Sequence, residues 1–325
     1  MKFSKWMLVI ANSLLAATFS VTAMAQAKDY PSRDITFVVP FGPGGVTDPI
    51  SRQFTAQLSK VLGVTINVEN KPGGSATIGT GAVIGAKPDG YTIGLGTNNS
   101  LVYQPLVNTG LSYKTSDDFQ SIVKLGDSNT VLTVRADAPW KTFDEFMADV
   151  KKQPGKIRVS VSGLQSSGDL TIQELNMVAG VNITTVPFTG GGGEAMLALL
   201  GGRVEALAGH GVSTQGQERA GKVRVLAVFK KGKFDLFPEA ASTADSGYDA
   251  TLPSGFYVIA PKGLPKDILD KLLSASKQVV ETEEFINFTK ANGYVADAIG
   301  GDDMKAELVQ QSKVFADLIK FMGLK

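Results

Sequence analysis

The sequence contains no cysteine and only one histidine among its 325 residues. The missing cysteine excludes disulfides, thiolate metal sites and a cysteine nucleophile, and one histidine leaves few ways to build a metal centre or an acid–base pair. The net charge is also small: the sequence has 32 Lys and Arg residues and 31 Asp and Glu residues, which gives a formal net charge of +1. This balance does not favour nucleic acid or an anionic membrane surface as a partner. We predict no metal, no cofactor and no catalytic residues, and no Gly-x-Ser-x-Gly motif of an α/β hydrolase occurs.

The first 25 residues are predicted to be an export signal. Lys2 and Lys5 give a basic start, an apolar stretch follows, and an Ala-x-Ala site ends at Ala25. The apolar stretch is too short and too often interrupted for a membrane span, and no cysteine follows it to carry a lipid anchor. We therefore expect cleavage after Ala25, a bacterial periplasmic location and a mature chain whose formal charge is −1 once the two lysines are removed.

The most informative stretch is the loop over residues 40–48, which holds two prolines and three glycines. A β-branched run at residues 35–39 predicts a buried strand before it, and apolar residues at helical spacing from Ile50 predict a helix after it. Asp48 ahead of Pro49 is typical of an N-cap followed by proline. Backbone N–H groups at a helix N-terminus beside a strand end can bind an anion. On residue types alone, a capped turn without a ligand is an equal alternative.

Strands and helices alternate along the rest of the chain. A helix at residues 76–86 is predicted between strands at residues 64–69 and 91–96, which is typical of a doubly wound parallel unit. A buried strand at residues 223–229 is predicted to take part in the return to the first domain. The predicted division is a signal peptide at 1–25, domain 1 at 26–125 and 226–325, and domain 2 at 126–225.

Polar segments follow two predicted strands at their carboxyl ends, where open α/β sheets bind ligands. Asn98 and Ser100 follow the third strand and are candidate ligand contacts, although asparagines also form turns and caps. Gly163, Ser166 and Ser167 lie in a polar glycine loop after a later strand and are candidates for the same reason.

A second combination of strand, glycine loop and helix repeats the first. A strand at residues 183–188 runs into a loop with Thr189, Gly190 and Gly191, and a helix is expected to begin near Ala195. The alternative is a flexible connection without a ligand. Two loops suited to anions, one in each half of the chain, favour ligand contact over that alternative.

Several separated stretches together resemble one known family. They are residues 30–31, 35–48, 68–73, 78–79, 87–92, 179–181, 186–190, 200–205 and 221–228. The sequence is similar, over nearly all of the chain after residue 25, to the Bug-type or TctC-like periplasmic receptors of tripartite tricarboxylate transporters. The resemblance implies two doubly wound α/β domains joined by crossing strands. This is the type II, Venus-flytrap architecture of periplasmic binding proteins, which close on a small solute.

The resemblance also implies a function. The expected protein is a monomeric, non-enzymatic receptor that captures a carboxylate-bearing metabolite and delivers it to the membrane subunits of a permease. A sensor whose closed form docks on a signalling partner is the alternative. The ligand would be a dicarboxylate, an aromatic acid or an amino acid. Phe188 and Thr189 replace the tyrosine and lysine usual in the family, and residues 191–193 are all glycine. These departures indicate a second-domain pocket that is roomier or that recognises an unusual ligand.

The first loop is expected to hold the carboxylate of such a ligand. The predicted contacts there are Phe41, Pro43, Gly44, Gly45 and Thr47. The two adjacent glycines would bind through their backbone and the threonine through its hydroxyl, directly or by way of water. The neighbouring aspartate would cap the helix without touching the anion, because two like charges repel.

His210 follows an apolar strand between two glycines. One interpretation is a ring hydrogen-bonded only by the backbone. The other is a contact with the far end of the solute, neutral or charged, since the ordinary pKa of histidine is about 6.5. A charged ring on an anionic group would strengthen binding as the pH falls from about 8 to 6.

Overall fold

The computed structural model describes residues 30–189, 191–252 and 254–324. Its strands are β1 (Ile35–Val39), β2 (Ile66–Asn70), β3 (Thr92–Thr97), β4 (Phe119–Asp127), β5 (Thr130–Arg135), β6 (Arg158–Val161), β7 (Thr184–Pro187), β8 (Ala206–His210), β9 (Val223–Val228), β10 (Ala241–Ser242) and β11 (Gly255–Pro261). The predicted signal peptide and its cleavage site lie outside the described residues.

Helices connect most of these strands. They are α1 (Thr47–Leu62), α2 (Thr77–Ile84), α3 (Gln104–Val107), α4 (Phe143–Lys152), α5 (Ser167–Ala179), α6 (Gly191–Leu200), α7 (Gly211–Arg219), α8 (Lys266–Val280), α9 (Glu283–Ala291) and α10 (Gly301–Phe321). A π-helical segment, Asn99–Tyr103, here called the π-turn, precedes α3. Within the described ranges, no helix is long and apolar enough to cross a membrane.

The strands form two sheets, as the α/β prediction requires. The first has the order β2-β1-β3-β11-β4 and the second β10-β9-β5-β8-β6-β7. β1 pairs in parallel with β2 and β3, and β6 pairs in parallel with β7 and β8. The loops after β1 and β3 therefore emerge at one edge of the first sheet, and those after β6 and β8 at one edge of the second.

β1 is buried on both faces of the first sheet, since neighbouring residues of a strand point to opposite faces and both sets are buried here. In β1, Phe37 packs with Phe54 of α1 while Val38 belongs to the cluster that holds Phe315 of α10. Such two-sided burial is typical of a parallel sheet covered by helices and explains the continuous apolar run of β1. The predicted strand at residues 35–39 is confirmed.

β9 belongs to the second sheet, which corrects the prediction that residues 223–229 return to the first domain. It pairs antiparallel with β5, where Val131 lies opposite Val228. The chain rejoins the first sheet only at β11, which begins at Gly255. The predicted boundary near residue 226 therefore falls inside a strand of the second sheet. A buried apolar strand carries no local mark of the sheet that it joins.

Two crossings connect the sheets. The first is residues 128–129, between β4 and β5, and the second leads from β10 to β11. The backbone N–H of Ser128 donates to the carbonyl of Ser254 at 2.9 Å, so the two crossings are bonded to each other. The second is also tied to α5, where Glu174 Oε2 accepts from the N–H of Leu252 at 2.8 Å.

Candidate functional site

A cavity of about 830 Å³ is lined by residues of both sheets and their loops. Most of the predicted ligand contacts line it. They are Phe41, Pro43, Gly44, Gly45, Thr47, Gly163, Ser166, Ser167, Gly191 and His210. The carboxyl ends of the parallel strands in both sheets therefore meet at one cavity, as ligand sites in open α/β sheets do.

Asn98 and Ser100, which follow β3, were predicted to contact the ligand, and the structure corrects this. Neither lines the cavity; Thr97 and Asn99 do. Ser100 is fully buried, and its hydroxyl bonds the N–H of Thr97 at 3.1 Å and Thr80 Oγ1 at 3.0 Å. The chain passes from β3 straight into the π-turn, and this tight turn brings the neighbouring residues to the cavity instead.

The second glycine loop is shorter than predicted. α6 starts at Gly191 rather than near Ala195, so residues 191–193 form its first turn and line the cavity. Thr189 is exposed and does not line it, which corrects that predicted contact. Gly190, also predicted to contact the ligand, lies outside the described residues.

Asp48 is not the N-cap of α1, contrary to prediction. The helix begins at Thr47, and Val46 at the cap position makes no side-chain capping bond. Pro49 consequently stands third in the helix, where its missing N–H still costs nothing, because the first N–H groups have no intrahelical acceptor. Those first N–H groups remain without a side-chain cap at the end that lines the cavity.

The carboxylate of Asp48 turns toward the first loop instead. It accepts hydrogen bonds from Arg52 Nε at 2.9 Å, from Asn70 Nδ2 at 3.0 Å and from the N–H of Gly44 at 3.2 Å. Burial opposes its ionisation, but the bonds from Arg52 and Asn70 outweigh burial and hold the pKa below its usual range. The carboxylate thus accepts three hydrogen bonds, whereas the N-cap position would have given it one. The bond from Gly44 also holds the first loop against the start of α1.

The cavity wall is uncharged but surrounded by helix N-termini. Among the described residues, no Lys, Arg, Asp or Glu side chain lines it. α1, α5, α6 and α7 all begin at its wall. Each N-terminus carries a partial positive charge and unpaired N–H groups, which suits one bound anion without a counter-ion. Thr47 Oγ1, at the start of α1, is buried without a hydrogen-bond partner.

His210 ends β8 and stands at the cap position of α7. Its ring bonds the backbone of Ser128 in the first crossing, and its Nδ1 is buried without a partner. Burial lowers the pKa of His210 below its ordinary value, which this hydrogen bond only partly offsets. Burial therefore favours the neutral ring of His210.

Some lining residues carry no sequence signal. Tyr294, which follows α9, donates its hydroxyl to the carbonyl of Val46 at 2.6 Å and packs edge-on against Phe256 of β11. It thereby anchors the first loop from a position 248 residues away. Only the folded chain brings these segments together, so no local pattern predicts them.

A hydrogen bond between the π-turn and the loop before α5 joins the two halves across the cavity. Asn99 Nδ2 in the π-turn donates to the carbonyl of Gln165 at 2.7 Å, and both residues line the cavity. Gln165 has φ +57°, a conformation that residues other than glycine seldom adopt. Asp169 Oδ2 accepts from its N–H at 2.6 Å and holds it there. The sequence analysis did not predict Asn99 or Gln165 as site residues. Their only signal in the sequence is that each lies next to a predicted contact, Asn98 and Ser166 respectively.

Comparisons with known proteins point to one family. The model of the tripartite tricarboxylate transporter family receptor, TctC, matches residues 50–324. The chain is 30% identical over 310 residues to a UPF0065 protein of Bordetella pertussis, covering 95% of each. The structure of the periplasmic binding protein BugD matches with 30% identity and a TM-score of 0.79, covering 91% of this chain and 99% of BugD. A Rhodopseudomonas palustris protein with adipate matches at 26% identity and a TM-score of 0.82, covering 91% and 99%.

Proposed function

Because the chain belongs to the tripartite tricarboxylate transporter receptor family, we propose that it captures a small carboxylate-bearing metabolite between its two sheets and delivers it to a permease of that transporter type. The receptor would act in the periplasm, after cleavage behind Ala25, as a monomer without enzymatic activity. Adipate in a structural relative supports a carboxylate as the ligand class.

The observation that carries the proposal is an uncharged cavity at which four helices begin. The carboxylate would lie against the first loop, near the backbone of Gly45 and the hydroxyl of Thr47, whose Oγ1 has no hydrogen-bond partner among the residues that the structure describes. Buried polar atoms are nearly always hydrogen-bonded, so an unpartnered hydroxyl beside a cavity favours a polar ligand. Gly44 contributes less, because its N–H is already bonded to Asp48.

A thermal-shift screen of carboxylic acids and neutral sugars on the purified mature protein tests this function. A ligand that binds only the folded state raises the free energy of unfolding by mass action, by about 2.7 kcal/mol at a concentration 100 times Kd, and the midpoint temperature rises with it. We expect stabilisation by at least one acid and by none of the sugars. Stabilisation by sugars alone would contradict the proposal.

Replacing Asn99 by alanine is expected to weaken binding of the most stabilising acid in that screen by about 2- to 10-fold, the equivalent of one hydrogen bond of roughly 0.5–1.5 kcal/mol. The loss should appear as faster dissociation, because the bond to Gln165 links the two sides of the cavity. Stopped-flow fluorescence and calorimetry measure both quantities. Asn67→Ala, on the exposed side of β2, is the control and should bind like the wild type. Equal dissociation rates for all three proteins would contradict a role in closure.

A further inference from the structure

His210 brings a hydrogen-bond acceptor to the cavity wall. Burial favours its neutral ring, and a neutral imidazole has one N–H donor and one bare nitrogen. The N–H bonds the backbone of Ser128 in the first crossing, and this bond sets the tautomer. The other ring nitrogen is therefore an acceptor. Among the described residues, the bond to Ser128 is the only hydrogen bond of this ring.

A second acceptor comes from the other half of the molecule. Asn99 Nδ2 in the π-turn donates to the carbonyl of Gln165 at 2.7 Å, and Asn99 Oδ1 is buried without a partner. Asn99 and His210 both line the cavity. Buried polar atoms are nearly always hydrogen-bonded, and an acceptor left unpaired has lost its water without compensation. The bound ligand is therefore expected to supply hydrogen-bond donors as well as a carboxylate.

The charge of the cavity wall decides which donor suits it. Within the described ranges, no Asp or Glu side chain lines the cavity, so an ammonium group would have no counter-ion there. Four helices begin at the wall, and the partial positive charge of their N-termini opposes a cation. The same helix starts can serve one carboxylate or two. A hydroxyl supplies an O–H donor without a charge.

We propose, on the premise of the proposed function, that the bound metabolite is a hydroxylated carboxylate. Its carboxylate faces the first loop, and one of its hydroxyl groups donates to the bare ring nitrogen of His210. His210 thereby selects a hydroxy acid against the acid of the same carbon skeleton that lacks the hydroxyl. The absence of an acidic side chain from the described wall selects against the corresponding amino acid.

Calorimetric titration with matched sets of acids tests this assignment, each set sharing one carbon skeleton. The first set is butanoate, 2-hydroxybutanoate and 2-aminobutanoate, and the second is butanedioate with its 2-hydroxy and 2-amino forms. A third set has the skeleton of the most stabilising acid in the screen, and chiral acids are titrated as both enantiomers. In the wild type, the best hydroxy acid should bind at least about 10-fold more tightly than its unsubstituted and amino counterparts, which leave the acceptor unpaired or bring an uncompensated charge.

His210→Phe removes the acceptor and keeps an aromatic ring. It should weaken the best hydroxy acid by about 10-fold or more and change its unsubstituted counterpart by less than about 3-fold, because only the hydroxy acid loses a bond. His210→Gln retains a neutral acceptor and should keep part of the preference. Asn67→Ala, on the exposed side of β2, is the control and should keep all of it.

The wild-type titrations decide the ligand class even if a His210 variant does not fold. An unsubstituted acid or an amino acid that binds as tightly as its hydroxy counterpart overturns the hydroxylated class, while the proposed function stands. Equal losses for the hydroxy acid and its unsubstituted counterpart in His210→Phe overturn the contact with His210. If no acid of the sets or of the screen binds, the proposed function itself fails.

Discussion

Gly45→Val is expected to abolish acid binding and leave the fold intact. A valine side chain in the first loop would occupy the space of the carboxylate and break its hydrogen bonds, each worth roughly 1.5–3 kcal/mol for a charged acceptor. We expect a loss of affinity of about 100-fold or more, measured by calorimetry with the most stabilising acid of the screen.

The structure explains why this substitution tests binding rather than stability. A Cβ on Gly45 would meet only the carbonyl of Gly42, at 3.7 Å, which is an ordinary contact. Gly44 has φ +77°, so valine there would strain the backbone and confuse the result. Gly216→Val on the exposed face of α7 is the control for introducing a β-branched residue. Normal binding by Gly45→Val would mean that the first loop is structural only.

Lys124→Met is expected to lower the free energy of unfolding by about 3–5 kcal/mol at pH 7.5, the usual cost of removing one partner from a buried ion pair. Lys124 is only 4% exposed, and its Nζ lies 2.8 Å from Asp127, 2.8 Å from Asp297 and 3.0 Å from Glu307. Methionine has a similar shape but no charge, so three carboxylates would remain together without a cation.

The loss should shrink as the pH falls. In the wild type, burial already raises the pKa of Asp127 to about 6, because burial and the two nearby carboxylates outweigh the attraction of Lys124. At Asp127 the folded state therefore binds more protons than the unfolded state between about pH 4 and 6, so the contribution of this carboxyl to stability rises as the pH falls through this window. Without the lysine the pKa of Asp127 rises further, because Lys124 is the group that lowers it, so protonation of Asp127 near pH 5 removes part of the repulsion.

Urea unfolding of the wild type and the variant at pH 5, 6 and 7.5 measures this difference. Lys277→Met is the matched control, because Lys277 forms an exposed pair with Glu281 at 3.7 Å in α8. Exposed pairs contribute about 0–1 kcal/mol. Should Lys124→Met destabilise the protein no more than Lys277→Met does, the buried lysine would not be the counter-ion that the carboxylates need.

Local patterns in the sequence were enough for the alternation of strands and helices and for much of the site. The strand at residues 35–39 is as predicted. The helix α4 begins with a capping box, in which Thr142 and Glu145 bond each other's backbone, and its signature is the spacing of these two residues in the sequence. Most of the ligand contacts predicted from the family pattern and from the loops at strand ends also line the cavity. These features depend on residues close together in the chain, so propensity, periodicity and capping chemistry reveal them.

Tertiary structure decided the features that depend on distant residues. Asp48 has the residue types of an N-cap, but Asn70 of β2, 22 residues away, draws its carboxylate elsewhere. Three other features also depend on residues far apart in the chain. They are the sheet that β9 joins, the bond from Asn99 to Gln165 and the anchoring of the first loop by Tyr294. Each pairing forms only when separate elements pack, and its free energy is set by burial and partner geometry that no short window of sequence contains.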